Sequence, residues 1–219
     1  MEKVVLMIIS YLIGSIPFSY LLGKWLKGED IRKKGSGNLG TTNAFRVFGK
    51  VIGMIVLVLD TFKGGIMVLL VKYLPFFHNL DLFHPLIYGM AAVIGHIYPV
   101  WFKFKGGKGV ASSFGLMLAY DPLLACFILP IFLLVEFLTR YVSVASSIAA
   151  ISSLLYVTLQ HFFFHQDWYF FIVCFVLVSL IIIRHRSNYQ RLKAKTENRV
   201  RLFDFYDRWL EKRRSQKNS

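Results

Sequence analysis

The chain has 219 residues, 56% of them hydrophobic, and carries 26 Lys and Arg against 12 Asp and Glu for a net charge of +14. That length fits one domain, and so apolar a composition points to an integral membrane protein rather than a soluble one. Cys126 and Cys174 both lie inside apolar runs, so no disulfide framework is implied, and the basic excess flanks those runs, where anionic lipid headgroups explain it and nucleic acid does not.

The first apolar segment, Val4–Trp25, has only Lys3 before it and no small-residue cleavage pattern, so it reads as a retained span. Further spans follow at Val51–Leu74, His84–Phe102, Val142–His161 and Trp168–Arg184, each near the ~20 residues that a bilayer core requires. Residues 110–138 are too long for one crossing and short for two. Twenty-three of the 26 basic residues fall at 24–50, 103–108, Arg140 and 184–219, while Asp81, Asp121 and Asp167 mark the opposite ends of the apolar runs. Under the positive-inside rule these basic clusters are cytosolic, which makes 110–138 a helical hairpin turning at Asp121-Pro122. The expected fold class is therefore an all-α integral membrane protein, a seven-span helical bundle with its N-terminus outside and its C-terminus cytosolic. The first limb, 110–120, is only about 16 Å long as helix, so it either starts within the preceding loop or dips in without spanning. Residues 1–199 form the expected transmembrane domain. The basic tail 200–219 places Leu202, Phe203, Tyr206, Trp209 and Leu210 on one side of a helix suited to an anionic surface.

Within the spans, Asp60 and Lys63 stand at i,i+3 and read as a structural ion pair, and His96 reads as a packing residue of the third span. Glu136 and Arg140, at i,i+4, read as an anchor at a helix end.

Three basic stretches carry chemistry. Gly35-Ser36-Gly37-Asn38-Leu39-Gly40 matches a dinucleotide fingerprint letter by letter, but no strand or βαβ unit surrounds it. Its physical content is anion binding, with glycine N–H groups, donors on Ser36, Asn38, Thr41, Thr42 and Asn43, and the planar fork of Arg46. The second stretch, Phe102–Ser113, lacks Walker spacing, yet Gly106, Gly107, Lys108 and Gly109 open an apolar helix and Lys105 adds charge, which suits phosphate. In the third, RHRSNYQRL from Arg184, His185 and Asn188 share a helix face at the cytosolic edge. No nucleophile elbow, zinc signature or Cys/His cluster is present, so covalent serine or cysteine catalysis, metal and cofactor all lack support.

Taken together, YLIGSIPFSYLLGK, GSGNLGTTNAFR, LDTFKGG, GHIYPVWFKFKGGKGVASS, RYVSVAS and RHRSNYQRL resemble, in order and over about residues 10–199, the bacterial membrane acyltransferases that move a fatty acyl group from acyl phosphate to glycerol 3-phosphate. The resemblance implies a seven-span bundle in the bacterial inner membrane and a cytosolic active site that makes lysophosphatidic acid and inorganic phosphate. It implies activity roles for Ser36, Arg46, His185 and Asn188, and glycerol 3-phosphate binding by Lys105, Gly106, Gly107, Lys108 and Gly109. It further implies a polar site role for Ser143, a structural role for Glu197, and a functional link to the enzyme that makes acyl phosphate. The chain departs from the family pattern at Lys193 and Lys195, where a Leu and a Gly are usual, which bears on the turn before Glu197.

The chemistry suits these residues. Acyl phosphate is a mixed anhydride with a good leaving group, so the site has to hold two anions and orient a hydroxyl. The proton of that hydroxyl goes either to neutral His185 or to a substrate phosphate oxygen. The rival reading is a transporter or exchanger of phosphorylated anions, against which stand the loop position of the motifs and the lack of repeated halves.

Overall fold

Helices account for the regular structure among the described residues, 1–164 and 167–199, of the computed structural model. They are α1 (Glu2–Gly14), α2 (Phe18–Lys27), α3 (Thr41–Tyr73), the short α4 (Pro75–His78), α5 (Pro85–Ile97), α6 (Val110–Tyr120), α7 (Pro122–Thr139), α8 (Val142–Phe164), α9 (Trp168–Arg184) and α10 (Arg186–Lys193). Four segments are long and apolar enough to cross a membrane: α3, α5 with its continuation to Phe102, α7 and α8. The pairs α1–α2 and α9–α10, bent by 42° and 45°, qualify only as broken spans, and α6 is a shorter apolar helix. The expected hairpin is present as α6 and α7. Asp121 turns it by accepting from the N–H groups of Leu123 (3.0 Å) and Leu124 (3.1 Å), and Pro122 occupies a first-turn position that needs no donor.

The distribution of polarity is that of a membrane protein. On the outside α3 displays Val51, Met54, Val58 and Phe62, and α8 displays Ile151, Leu155 and Leu159, whereas Asp60, Lys63, His96 and Glu136 are buried. With lipid as solvent, association depends on close backbone packing rather than on hiding apolar surface. A side chain at Gly64 would collide with the carbonyl of Ser112, and one at Gly115 with the carbonyl of Thr61, so α3 and α6 touch backbone to backbone. Gly14 and Gly95 do the same for α1 and α5 against Ala92 and Tyr11.

Two local features create the room for a site. The first is a reversal inside α3. Gly49 has φ 83° and ψ −175°, a conformation essentially restricted to glycine. The chain doubles back there, so that Phe45 packs on Gly53 and the Thr41 hydroxyl donates to Asp60 at 3.3 Å. A straight helix would separate residues 41 and 60 by roughly 28 Å. The second is the depth at which α6 begins. Its first turns pack beside Gly64, about 22 Å along α3 from the reversal, so the preceding loop covers the rest of that depth. The first limb is thus the 11-residue helix Val110–Tyr120, which begins beside Gly64 and not level with the reversal.

The departure from the family pattern at Lys195 also has a structural outcome. Lys195 adopts φ 56°, the left-handed conformation that glycine would take, and the turn before Glu197 forms. The expected amphipathic helix at 200–219 lies outside the described residues.

Substitution at the two glycine positions should separate their roles. Gly115→Ala forces α3 and α6 apart and should cost roughly 1–3 kcal/mol through overpacking. Gly49→Ala meets open space, yet should cost a similar ~1–3 kcal/mol through backbone strain alone. Thermal unfolding in detergent measures both, and a native midpoint for Gly49→Ala would refute the reversal. Lys195→Gly should raise the midpoint slightly, because it relieves ~1–2 kcal/mol of left-handed strain, partly offset by glycine's freedom in the unfolded chain; a fall in midpoint would show that the lysine side chain contributes contacts of its own.

Candidate active site

The loop from Gly35 to Gly40 is folded by two amides. Asn43 is buried, and its Nδ2 donates toward the carbonyls of Asn38 (3.0 Å), Lys34 (3.2 Å) and Ile31 (3.4 Å), while its Oδ1 accepts from the Ser36 N–H (2.9 Å). Asn38 accepts from the Gly40 N–H at 2.8 Å and donates to the Gly106 carbonyl at 3.4 Å. With these amides engaged in shaping the loop, Ser36, Thr42 and Arg46 are left along a cavity wall.

The glycines of the second stretch are equally committed. The N–H groups of Gly106 and Gly107 donate to the carbonyls of Ile97 (3.1 Å) and His96 (3.0 Å), and their own carbonyls accept from the Arg184 guanidinium (3.3 and 3.2 Å). Both glycines are buried and Lys105 is exposed, so the stretch presents Lys108 and the start of α6 to the cavity rather than a ring of free glycine N–H groups.

The third stretch sits at the bend between α9 and α10. His185 is buried, and its Nδ1 lies 2.8 Å from the Ile181 carbonyl. A carbonyl only accepts, so Nδ1 carries the hydrogen and Nε2 keeps its lone pair. Asn188 accepts from Lys108 and donates to Glu197 at 2.6 Å. Glu197 also accepts from Arg191 (2.7 Å) and from the Ser143 hydroxyl (3.3 Å), which ties the third stretch to α8.

These groups surround a cavity of about 430 Å³, within the range of small-ligand sites. Its polar end is lined by Ser36, Arg46, Lys108, Ser143, His185 and Asn188, drawn from all three stretches and from α8. The other end is apolar, with Leu57 of α3, Phe114 and Met117 of α6, Ile128 and Phe132 of α7, and Leu177 of α9. Burial pushes the Lys108 ammonium down to about 8, reinforced by Arg191, Arg184 and Arg46 and opposed by Glu197. Burial, followed by the charge of Lys108, pushes His185 down to about 4. Burial works against the charge on Glu197, but the bonds from Asn188 and Arg191 hold its carboxyl below the usual range.

The expected site residues thus converge, except that Lys105, Gly106 and Gly107 stand behind or beside the cavity. Three contributors were not anticipated: His96, Arg191 and the α8 face of Ser146, Ala149, Ala150 and Ser153, all of which line it. The α8 face was legible as small and polar residues at helical spacing on an otherwise apolar span; nothing local marked His96 beyond the nearby glycines.

Comparisons with known proteins give the family and the fold. The family model described as glycerol-3-phosphate acyltransferase matches residues 4–195. A glycerol-3-phosphate acyltransferase of Bacillus subtilis (strain 168) is 45% identical over 196 residues, covering 90% of this chain and 96% of the relative, and one from Enterococcus faecalis is 40% identical over 205 residues, covering 91% and 93%. The crystal structure of PlsY (YgiH), an integral membrane glycerol 3-phosphate acyltransferase, in its glycerol 3-phosphate form superposes with a TM-score of 0.82 at 40% identity, covering 91% of this chain and 96% of that one. Its lysophosphatidic acid form gives 0.79, also at 40% identity, covering 91% and 95%. The chain is a membrane protein of the glycerol-3-phosphate acyltransferase family.

Proposed function

We propose that the chain transfers a fatty acyl group from acyl phosphate to the sn-1 hydroxyl of glycerol 3-phosphate, giving lysophosphatidic acid and inorganic phosphate. The observation that carries this reading is one cavity with a cationic, donor-rich end and an apolar end. A lipid-like mixed anhydride and a small phosphorylated alcohol need both. Ser36, Thr42, Arg46 and Lys108 hold phosphate oxygens, and Asn38 and Asn43 hold the loop that presents Ser36. Gly106, Gly107 and Gly109 mount Lys108, and Lys105 contributes charge at the rim. Ser143 and Asn188 orient substrate from the facing wall, and Glu197 fixes both. The acyl chain lies along α3, α6, α7 and α8.

In the step itself, the acceptor oxygen attacks the acyl carbon and the bond from that carbon to the phosphate oxygen breaks. Cations and donors stabilise the developing oxyanion and the departing phosphate. The hydroxyl proton ends on a phosphate oxygen of a substrate, with His185 Nε2 accepting a hydrogen bond that aims the hydroxyl. The position of the His185 titration supports this division, since an imidazole titrating near 4 is a poor base at neutral pH.

The seven crossings are α1–α2, α3, α5, α6, α7, α8 and α9, in the bacterial inner membrane, with the N-terminus outside and the C-terminus and site cytosolic. Residues 1–199 make one acyltransferase unit. Support comes from the charges: Lys24, Lys27, Lys103 and Arg140 lie at the helix ends nearest the polar mouth, whereas at the opposite ends Asp121 and Asp167 cap helices and Asp81 lies in a loop. The enzyme that produces acyl phosphate is the partner reaction.

Purified protein given both substrates should release phosphate only when both are present; binding without turnover would favour a transporter instead. His185→Gln should retain at least a tenth of kcat, and a loss of ~10²–10⁴-fold would reassign it as the base. The pH dependence follows from Lys108. Its charge is present below about 8 and is lost as pH rises through that value, so affinity of the free protein for glycerol 3-phosphate should weaken above about 8. Lys108→Arg, which stays charged, should remove that limb of the profile.

A further inference from the structure

The buried pair Asp60–Lys63 has no part in the proposed chemistry, the neighbouring His96 only edges the cavity, and an ion pair so enclosed contributes little net stability compared with apolar residues of the same shape. Asp60 is 1% exposed, Lys63 3% and His96 7%. Asp60 Oδ1 meets Lys63 Nζ at 2.8 Å and His96 Nδ1 at 3.6 Å, and Oδ2 accepts from Thr41 at 3.3 Å. Lys63 in turn donates to the Ile16 carbonyl, at the break between α1 and α2, at 2.8 Å. The carboxylate therefore joins elements that build the site from different directions. Thr41 begins the helix that carries Arg46. His96 holds the glycine stretch twice, since its carbonyl accepts from the Gly107 N–H and its Nε2 edge occupies the space that a Gly107 side chain would need. Lys108, the cation at the polar end, is the next residue.

We infer that Asp60 is a positioning residue. Through Thr41 and His96 it sets the distance between the Arg46-bearing helix and the Lys108-bearing loop, and hence the width of the pocket for the acceptor's phosphate. It is not among the residues lining the cavity and does not touch substrate. Lys63 supplies the charge that lets a carboxylate sit at this depth and anchors it to the α1–α2 break. Arg184 donates to the Gly106 and Gly107 carbonyls, so the loop is held through its N–H groups by the end of α5, which carries His96, and through its carbonyls by a helix-end guanidinium. The inference rests on the acyl transfer proposed above.

The test removes both charges together. Asp60→Leu/Lys63→Met leaves no unpaired buried charge and should fold, with the KM for glycerol 3-phosphate raised at least tenfold and kcat within about threefold. Asp60→Asn/Lys63→Met keeps one acceptor oxygen for the His96 N–H and turns an amide N–H toward the Thr41 hydroxyl, which can accept it, and should recover most of that affinity; a purely structural pair would give the two variants the same KM. His96→Gln leaves the ion pair intact and should raise the same KM, providing a reading even where the apolar pair does not fold. A native KM in His96→Gln or in the folded apolar pair, or loss of kcat and affinity together without recovery in the Asn variant, overturns the proposal. Silence of the unsubstituted chain with both substrates would count against the reaction instead, and the calorimetric Kd of glycerol 3-phosphate on the same variants then decides the positioning role.

Discussion

The reversal of α3 at Gly49 is the constraint on which the site depends. A bilayer-facing bundle gains little from bringing polar loops inward, because backbone groups taken from water need partners. Here a glycine in a conformation closed to other residues turns the helix back on itself, and the carboxylate of Asp60 receives the hydroxyl at its start. The Gly35–Gly40 loop is thereby held beside the long apolar part of α3. The backbone contact of α3 with α6 then fixes the second stretch against the first, with the start of α6 recessed into the protein.

The electrostatics follow from that recess. Arg46, Lys108, Arg184 and Arg191 lie near one another, and Glu197 is the carboxylate that offsets them, accepting from Ser143, Asn188 and Arg191. The excess of positive charge is what a site for two anions needs, and burial makes each unit of charge count for more than it would in water. Burial, reinforced by this crowding, brings Lys108 within reach of physiological pH and keeps His185 neutral. The glycine stretch takes a different part from the one its composition suggests. The N–H groups of Gly106 and Gly107 are already bonded within the protein, so these two glycines work as a rigid mounting for one lysine.

Much of this architecture was legible in the residues. The length of the apolar runs and the flanking Lys and Arg marked the candidate spans, and Asp121-Pro122 located the hairpin, because capping and the missing proline donor are local effects. Ser36, Arg46, Lys108, His185 and Asn188 could be singled out because hydroxyls, cations and an imidazole beside glycines are unusual next to apolar runs. The turn at Lys195 was not legible: the usual residue there is glycine, and only the tertiary bonds of Glu197 explain why a lysine accepts the strained conformation.

What the sequence determined by itself was therefore the membrane class, the chain's punctuation and the chemical kinds of group at the polar ends, since each depends on neighbours within a few residues. What only the tertiary structure decided was which of those groups share a cavity. Asp60 and His96 are 36 residues apart in an apolar background, and their meeting depends on the packing of α3 against α5. The same holds for the N–H groups of Gly106 and Gly107, whose partners His96 and Ile97 are set by the packing of the loop and leave no periodic trace.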